Sequence, residues 1–266
     1  MERIRATFDQ LRRRGRTALI PFIMGGDPDL VTTAQLLLTL EDAGADLIEV
    51  GIPFSDPLAD GPVLQAASAR ALARGVTPPR VLAAVASVRG RMRIPVVCLS
   101  YWNLLLQFGQ PAPKLFLRAA RRSGVSGLIV PDLPVEEGAA LRQAAKAEGV
   151  AAIFLAAPTS PPERLRAIAR ASEGFIYYVS VTGTTGARRK LPADLAQGVR
   201  QLRLVTTKPI CIGFGISTPA QAAMVARVAE GVIVGSALVQ RLHRASGRSA
   251  LMRRAASFIR QMRQAL

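Results

Sequence analysis

Glu49 and Asp60 are the two acidic residues whose surroundings suit them to proton chemistry. Glu49 is flanked by Ile48 and Val50 in an apolar, strand-like run, and Asp60 lies in the Pro/Gly-rich stretch Pro53-Phe54-Ser55-Asp56-Pro57-Leu58-Ala59-Asp60-Gly61-Pro62. Burial without a cation raises a carboxyl pKa, so Glu49 is placed to hold a proton near neutrality and to act as acid and base in turn. Spacing alone leaves a satisfied structural carboxylate as the other reading. Asp60, in its loop, stays ionised more easily and can accept a hydrogen bond from a substrate N–H.

Two glycine motifs suit a different task. Gly213-Phe214-Gly215-Ile216-Ser217 and Gly235-Ser236 let the backbone come close to a ligand, and the N–H groups opening a helix after Ser236 would suit a phosphate dianion. Tight turns explain the same glycines without a ligand. Ser217-Thr218-Pro219 reads as a helix start, a hydroxyl cap ahead of proline. The stretch Thr182 to Leu191, with Gly183, Gly186 and the tip Thr184-Thr185, reads either as a plain surface loop or as a cover that closes on substrate and brings Thr185 to Asp60.

What is missing narrows the chemistry. The single histidine, His243, lies in the C-terminal helical region, so no His-based zinc site or Ser-His-Asp relay can be assembled. None of Lys114, Lys146, Lys190 or Lys208 falls within or at the C-terminal end of a strand-like run, which argues against a Schiff-base lysine. There is neither a P-loop nor a G-x-G-x-x-G fingerprint. Acid–base chemistry on a phosphorylated small molecule, without metal or cofactor, is what remains.

The 35 Lys+Arg against 18 Asp+Glu give a net charge of +17, enough to raise the question of a polyanion. The cations are nearly all arginines spread over helical segments, without the aromatic interleaving of a single-strand binder, so neither nucleic acid nor a membrane is the expected partner. Cys98 and Cys211 lie in apolar runs without C-x-x-C spacing and read as reduced packing residues. No apolar run is long enough to span a bilayer, and MERIRATFDQLRRRGR lacks the apolar core of a secretory signal, so the expected compartment is the cytoplasm.

Eight short apolar runs must position these groups: Ala18 to Met24, Leu47 to Gly51, Pro95 to Leu99, Gly127 to Val130, Ala151 to Leu155, Phe175 to Ser180, Pro209 to Gly213 and Val232 to Gly235. Helical stretches separate them, among them Leu30 to Ala43, Val63 to Ala73, Lys114 to Ser123, Glu136 to Glu148, Pro162 to Ala171 and Pro219 to Glu230. Eight alternations with no linker or composition break predict a single-domain (β/α)8 TIM barrel over residues 1–266, an open doubly wound sheet being the alternative. Met1 to Arg14 reads as an amphipathic helix able to cap the barrel bottom. The chemistry should gather at the C-terminal rim, where Gly25-Gly26-Asp27, Glu49, Ser100-Tyr101-Trp102-Asn103, Pro131-Asp132 and the glycine motifs all fall.

The segment Gly44-Ala45-Asp46-Leu47-Ile48-Glu49-Val50-Gly51-Ile52-Pro53-Phe54-Ser55-Asp56-Pro57-Leu58-Ala59-Asp60-Gly61-Pro62 strongly resembles the signature of the tryptophan synthase alpha subunit family. Pro21-Phe22, Gly26-Asp27-Pro28, Tyr101-Trp102-Asn103, Pro131-Asp132-Leu133-Pro134, Val181 to Gly186, Gly213 to Ser217 and Gly235-Ser236-Ala237 agree in order and spacing, so the likeness runs from about Arg3 to the last helix. It implies retro-aldol cleavage of indole-3-glycerol phosphate to indole and glyceraldehyde 3-phosphate, with Glu49 protonating C3 of the indole and Asp60 stabilising charge at the indole N–H. It also implies that Tyr177 packs beside Glu49. Phe22, Leu99, Ile129, Leu155, Phe214 and Ile233 would wall the indole slot, and Gly186, Gly213, Gly215, Gly235 and Ser236 would cradle the phosphate. No cofactor is expected in this chain; a pyridoxal-phosphate beta subunit is the implied partner in an α2β2 complex, meeting the loop Pro53 to Asp60 and the segment around Asn103. Thr184, Met24-Gly25 and the +17 charge depart from the family's usual pattern, which touches loop kinetics more than reaction type. An isomerase on the same scaffold, a lyase acting without a partner, and a silent polyanion-binding scaffold are the competing expectations.

Overall fold

The computed structural model describes residues 1–179, 193–213 and 215–266. Its strands are β1 (Ala18–Met24), β2 (Ile48–Gly51), β3 (Val96–Leu99), β4 (Val125–Ile129), β5 (Ala151–Ile153), β6 (Leu155–Ala156), β7 (Ile176–Val179), β8 (Ile210–Gly213) and β9 (Gly231–Val234). All pair in parallel, in the order β5-β4-β3-β2-β1-β9-β8-β7-β6. The two ends of that order, β5 and β6, are one extended run divided at Phe154, whose N–H donates to Ser172 Oγ at 3.2 Å. The lower half bonds β4 and the upper half bonds β7, so the sheet closes on itself. Eight barrel strands result, as the alternation predicts, and closure excludes the open sheet.

Side chains alternate across every strand. Leu19, Ile23, Ile48, Val50, Cys98, Leu128, Ile176, Tyr178, Ile212 and Val232 pack outward beneath the helices. Ala18, Ile20, Leu47, Val97, Ile129, Ile153, Phe175, Tyr177, Cys211 and Ile233 fill the interior, and Phe22 and Met24 form a smaller cluster near the mouth. Cys98 and Cys211 are buried free thiols on opposite faces of the wall.

The expected capping helix spans Glu2–Arg13 and turns Ile4, Phe8 and Leu11 into the interior cluster. Phe8 meets Phe175 with ring centroids 5.8 Å apart, and the Met1 amine donates to the Gly149 carbonyl at 3.0 Å. Burial of those three side chains contributes about 1.5–3 kcal/mol each to closing the barrel bottom. The C-terminal helix Arg248–Gln264 is tied to the same end by Arg263, which donates to Asp46 at 2.7 Å and to the Thr17 carbonyl at 2.9 Å.

Two helices are shorter than the periodicity predicts. The stretch from Glu136 begins its helix only at Ala139: the Glu137 and Gly138 N–H groups close turns onto the Pro134 and Val135 carbonyls, and Gly138 lies so near Phe154 that a Cβ there would come within 2.6 Å of the ring. The helix from Pro219 ends at Ala226, and Glu230 turns away to pair with Arg203 at the base of β8 and β9. Among the described residues no helix is long and apolar enough to cross a membrane.

Candidate active site

Strand β2 aims Glu49 into the barrel, between Phe22 of β1 and Val97 of β3 in register. Glu49 is 1% exposed, and neither carboxyl oxygen has a hydrogen-bond partner among the described residues. Buried carboxylates kept for structure are paired, so the lack of a partner among the described residues argues against a satisfied structural carboxylate. Burial first, and then the charge of Asp60, push the Glu49 pKa up to about 8. At neutral pH this group carries a proton that no described residue accepts.

Asp60 is held by its loop and by two neighbouring elements. The buried Ser68, on the helix Pro62–Ala73, accepts from the Phe54 N–H at 2.8 Å and donates to the Phe54 carbonyl at 2.7 Å. The Phe54 ring stacks on Tyr101 with centroids 5.0 Å apart. The Tyr101 hydroxyl accepts from the Ala59 N–H at 3.1 Å and lies beside the Asp60 carboxylate, whose pKa it lowers, and Gln65 donates to the Asp60 carbonyl at 2.9 Å. Burial pushes the Asp60 pKa up to about 6, with the Tyr101 bond opposing the rise. The two carboxyls thus titrate on either side of neutrality, Asp60 as carboxylate and Glu49 as acid.

Around them the inward-facing residues form an apolar slot. Phe22 and Leu99 belong to the mouth cluster, and Ile129, Leu155, Tyr177 and Ile233 continue it downward; Leu99 pairs Ile129 in register, and Leu155 pairs Tyr177. Tyr177 is buried and its phenol is pushed well up, by burial and then by the charges of Glu49 and Asp60. Gly213, the last residue of β8, is what leaves room for it: a Cβ there would lie 2.8 Å from Tyr177 Cε1. Gly51 is the corresponding opening on β2, since its Cβ would meet Phe22 Cζ at 2.6 Å.

Further around the mouth, past β1, Gly215 has φ +80°, and Gly235 precedes the helix Ser236–His243. No side chain caps that helix, and its first N–H groups are left for a ligand, as at any uncapped N-terminus. Gly235 lies 3.6 Å, measured from where its Cβ would be, from Phe22 Cβ, so this N-terminus adjoins the apolar slot. The Ser217-Thr218-Pro219 reading holds as a capping box: Thr218 Oγ1 accepts from the Gln221 N–H at 3.3 Å and Gln221 Oε1 accepts from the Thr218 N–H at 3.2 Å.

Phe214, Thr185 and Gly186, with the stretch Thr182 to Leu191, lie outside the described residues. His243 is exposed at the end of its helix, and among the described residues no group of three His, Cys, Asp or Glu side chains could hold a metal ion. Two contributors escape a reading of the sequence. Tyr101 is visible there as a rim residue, but its hydroxyl bridge to Asp60 is not. Met24, whose Cε lies 3.2 Å from where a Gly51 Cβ would be, looks in sequence like any strand methionine.

The family model described as tryptophan synthase alpha chain matches residues 8–266. A tryptophan synthase alpha chain of Gloeobacter violaceus is 53% identical over 264 residues, 99% of this chain and 94% of that one. A solved alpha subunit from Legionella pneumophila superposes with TM-score 0.90 at 36% identity, covering 100% of this chain and 98% of that one. A chain from a structure of the tryptophan synthase α2β2 complex of Pyrococcus furiosus gives TM-score 0.86 at 36% identity, covering 92% and 97%. With its family match, its near-full-length relatives and its barrel all in agreement, the chain belongs to the tryptophan synthase alpha chain family.

Proposed function

We propose that Glu49 and Asp60 carry out the family's reaction in this chain, the retro-aldol cleavage of indole-3-glycerol phosphate to indole and glyceraldehyde 3-phosphate. The observation that carries the assignment is the buried, unpartnered Glu49 carboxyl facing an apolar slot with Asp60 at its edge. Carbon–carbon cleavage needs a stable leaving group, and C3 of an aromatic indole is a poor one. Protonation of C3 by Glu49 yields an indolenine, and Asp60, as carboxylate, accepts the hydrogen bond from the ring N–H and stabilises its positive charge. Glu49, now ionised, takes the proton from the glycerol hydroxyl next to the ring. As that oxygen becomes the aldehyde, the carbon–carbon bond breaks, its electron pair returns to the ring, and Glu49 is protonated again. The acid and base steps use one carboxyl, in keeping with its titration near neutrality.

Gly213, Gly215, Gly235 and Ser236, with the open N-terminus of the helix Ser236–His243, hold the phosphate in this reading, and Phe22, Leu99, Ile129, Leu155, Tyr177 and Ile233 wall the ring. The described apolar lining supports an aromatic substrate over a bare phosphosugar.

The rim carries a partner surface in the same reading. Leu58 is 93% exposed on the loop that bears Asp60, and Leu106 is exposed on the helix Trp102–Gln107 beside Asn103. Such side chains are expected where another subunit covers them; a pyridoxal-phosphate beta subunit, in an α2β2 assembly in the cytoplasm, is the partner that family membership suggests. Indole release from indole-3-glycerol phosphate, measured with the purified chain alone and with the beta subunit, tests both parts. No release in either case refutes the reaction, and release unchanged by the subunit counts against a partner at this rim.

A further inference from the structure

Asp60 lies in a loop that has no regular secondary structure of its own, yet the reaction requires its carboxylate at one place and in one charge state. What fixes it is a chain of contacts from outside the loop. Ser68 holds the Phe54 backbone from the helix behind, Phe54 stacks on Tyr101, and the Tyr101 hydroxyl closes the chain on the Ala59 N–H, which places it beside the Asp60 carboxylate. Tyr101 is itself fixed from the other side: it is buried, and the N–H of the next residue, Trp102, donates to both Asp132 oxygens, at 2.9 and 3.1 Å.

We infer that Tyr101 is a positioning residue for Asp60, its hydroxyl serving as the clasp that sets the carboxylate's orientation and keeps it ionised, with Ser68 supporting the clasp through Phe54. The inference rests on the function proposed above and adds to it the means by which an irregular loop delivers a carboxylate. A phenol O–H donating to a carboxylate favours the ionised form, and accepting from the neighbouring amide leaves the hydroxyl only one direction in which to donate. The titratable groups around Asp60 are Glu49 on β2, Tyr177 on β7 and Tyr101 itself, and Asp132 acts on Tyr101 from the loop after β4. Glu49 and Tyr177 are both held in their neutral forms at neutral pH, and among these groups the Tyr101 phenol is the one that favours the ionised Asp60.

Tyr101→Phe keeps the ring and its stack on Phe54 and removes only the clasp. Expected is a fall in kcat/KM for indole release of roughly tenfold or more at neutral pH, the usual effect of deleting a hydrogen bond to a charged group. The acid limb of the kcat/KM profile should also move to higher pH by about half a unit or more, as Asp60 holds its proton more tightly. A merely structural role would not move that limb. In an Asp60→Asn background, Tyr101→Phe should have little further effect, because no carboxylate is left to orient. Ser68→Ala should move the limb in the same direction by a smaller amount.

An acid limb unmoved by Tyr101→Phe, with kcat/KM within about twofold of the unmodified chain, overturns the inference while leaving the proposed function intact. Full activity of Asp60→Asn alone overturns both, so the two failures are distinguishable. Ser68→Ala with an unchanged limb removes Ser68 from the clasp.

Discussion

Replacing Glu49 by Gln preserves the shape of the side chain and removes its proton, and the structure assigns the change two measurable consequences of opposite sign. The first is loss of turnover. With no second carboxyl among the described residues facing the slot to replace its proton, indole release should fall below about one-hundredth of the unmodified rate, while substrate affinity stays within about tenfold, because the phosphate and ring contacts are untouched. The second is a gain in stability. The folded state lifts the Glu49 pKa from 4.5 to about 8, so between those values an unfolded chain ionises this residue and the folded chain does not. At low pH, below the unfolded value, both states are protonated and the folded protein carries no penalty. As pH rises toward the folded value, stability falls by about 1.4 kcal/mol per unit, some 3 kcal/mol by pH 7 and on the order of 5 kcal/mol by pH 8. Glutamine is neutral throughout and escapes that slope. Thermal melts of the two proteins from pH 5 to pH 9 should nearly coincide at pH 5 and diverge to roughly 10 °C in favour of Glu49→Gln at pH 8. Parallel melting curves across that range would falsify the raised pKa, and with it the account of Glu49 as an acid protonated at neutrality. Retention of a tenth of the activity would refute its role in proton transfer.

The same two carboxyls predict a bell-shaped kcat/KM profile, falling below about pH 6 as Asp60 gains a proton and above about pH 8 as Glu49 loses one, with the limbs belonging to the pair; a flat profile from pH 5 to 9 would count against both roles. Gly235→Asp has room for its Cβ, 3.6 Å from the nearest atom of Phe22, so the barrel should fold while the carboxylate repels a dianion beside the helix Ser236–His243. Its KM should rise by roughly tenfold or more, and unchanged affinity would move the phosphate elsewhere. Phe8→Ala removes a ring packed on Phe175 at the barrel bottom and should cost about 3–5 kcal/mol of stability with kcat unchanged at temperatures where the protein stays folded. A fall in kcat without loss of stability would mean that the capping helix acts on the site.

The fold was legible because the signals that specify it are local and repeated: eight apolar runs, each with a helix to cover it, admit few arrangements, and the observed strands lie within the expected ones almost throughout. Helix ends were less legible. Turns run up to Gly138 before its helix begins, and Gly138 lies against Phe154, a contact between separate segments that periodicity cannot contain. At the site, Glu49 was conspicuous as an acid inside an apolar strand, and its lack of a partner among the described residues is what supports the role proposed for it. Asp60 was expected to be the easier of the two to ionise, and it is, but its pKa is raised rather than ordinary, because the loop folds inward under Tyr101 instead of lying in solvent. The Tyr101 bridge joins residues far apart in sequence, and a residue type and a position on a rim say nothing of where a hydroxyl points.

The distribution of strong ties along the barrel axis follows from the same energetics. At the N-terminal end of the strands, Arg263 joins Asp46 and Thr17, Glu230 accepts from Arg203 and from the Ile210 N–H, Arg3 donates to the carbonyls of Met92, Arg93 and Ile94, and Ile4, Phe8 and Leu11 close the opening. The C-terminal end carries the opposite features: an orphaned buried carboxyl, an uncapped helix and an exposed leucine on an irregular loop. Net stabilities of globular proteins are about 5–15 kcal/mol, so an unpaired buried carboxyl whose ionisation is resisted by several kcal/mol is large on that scale. A barrel can tolerate it because both ends belong to one closed sheet, in which ties at the bottom hold the strands that present the reactive groups at the top. Satisfying Glu49 with a local partner would remove the strain, but a cation beside it would also lower its pKa and strip it of the proton it has to deliver. The stabilising contacts therefore have to lie where they cannot touch that carboxyl: in this chain many lie at the far end of the same strands, and the rim pair of Arg70 with Asp27 does not act on Glu49.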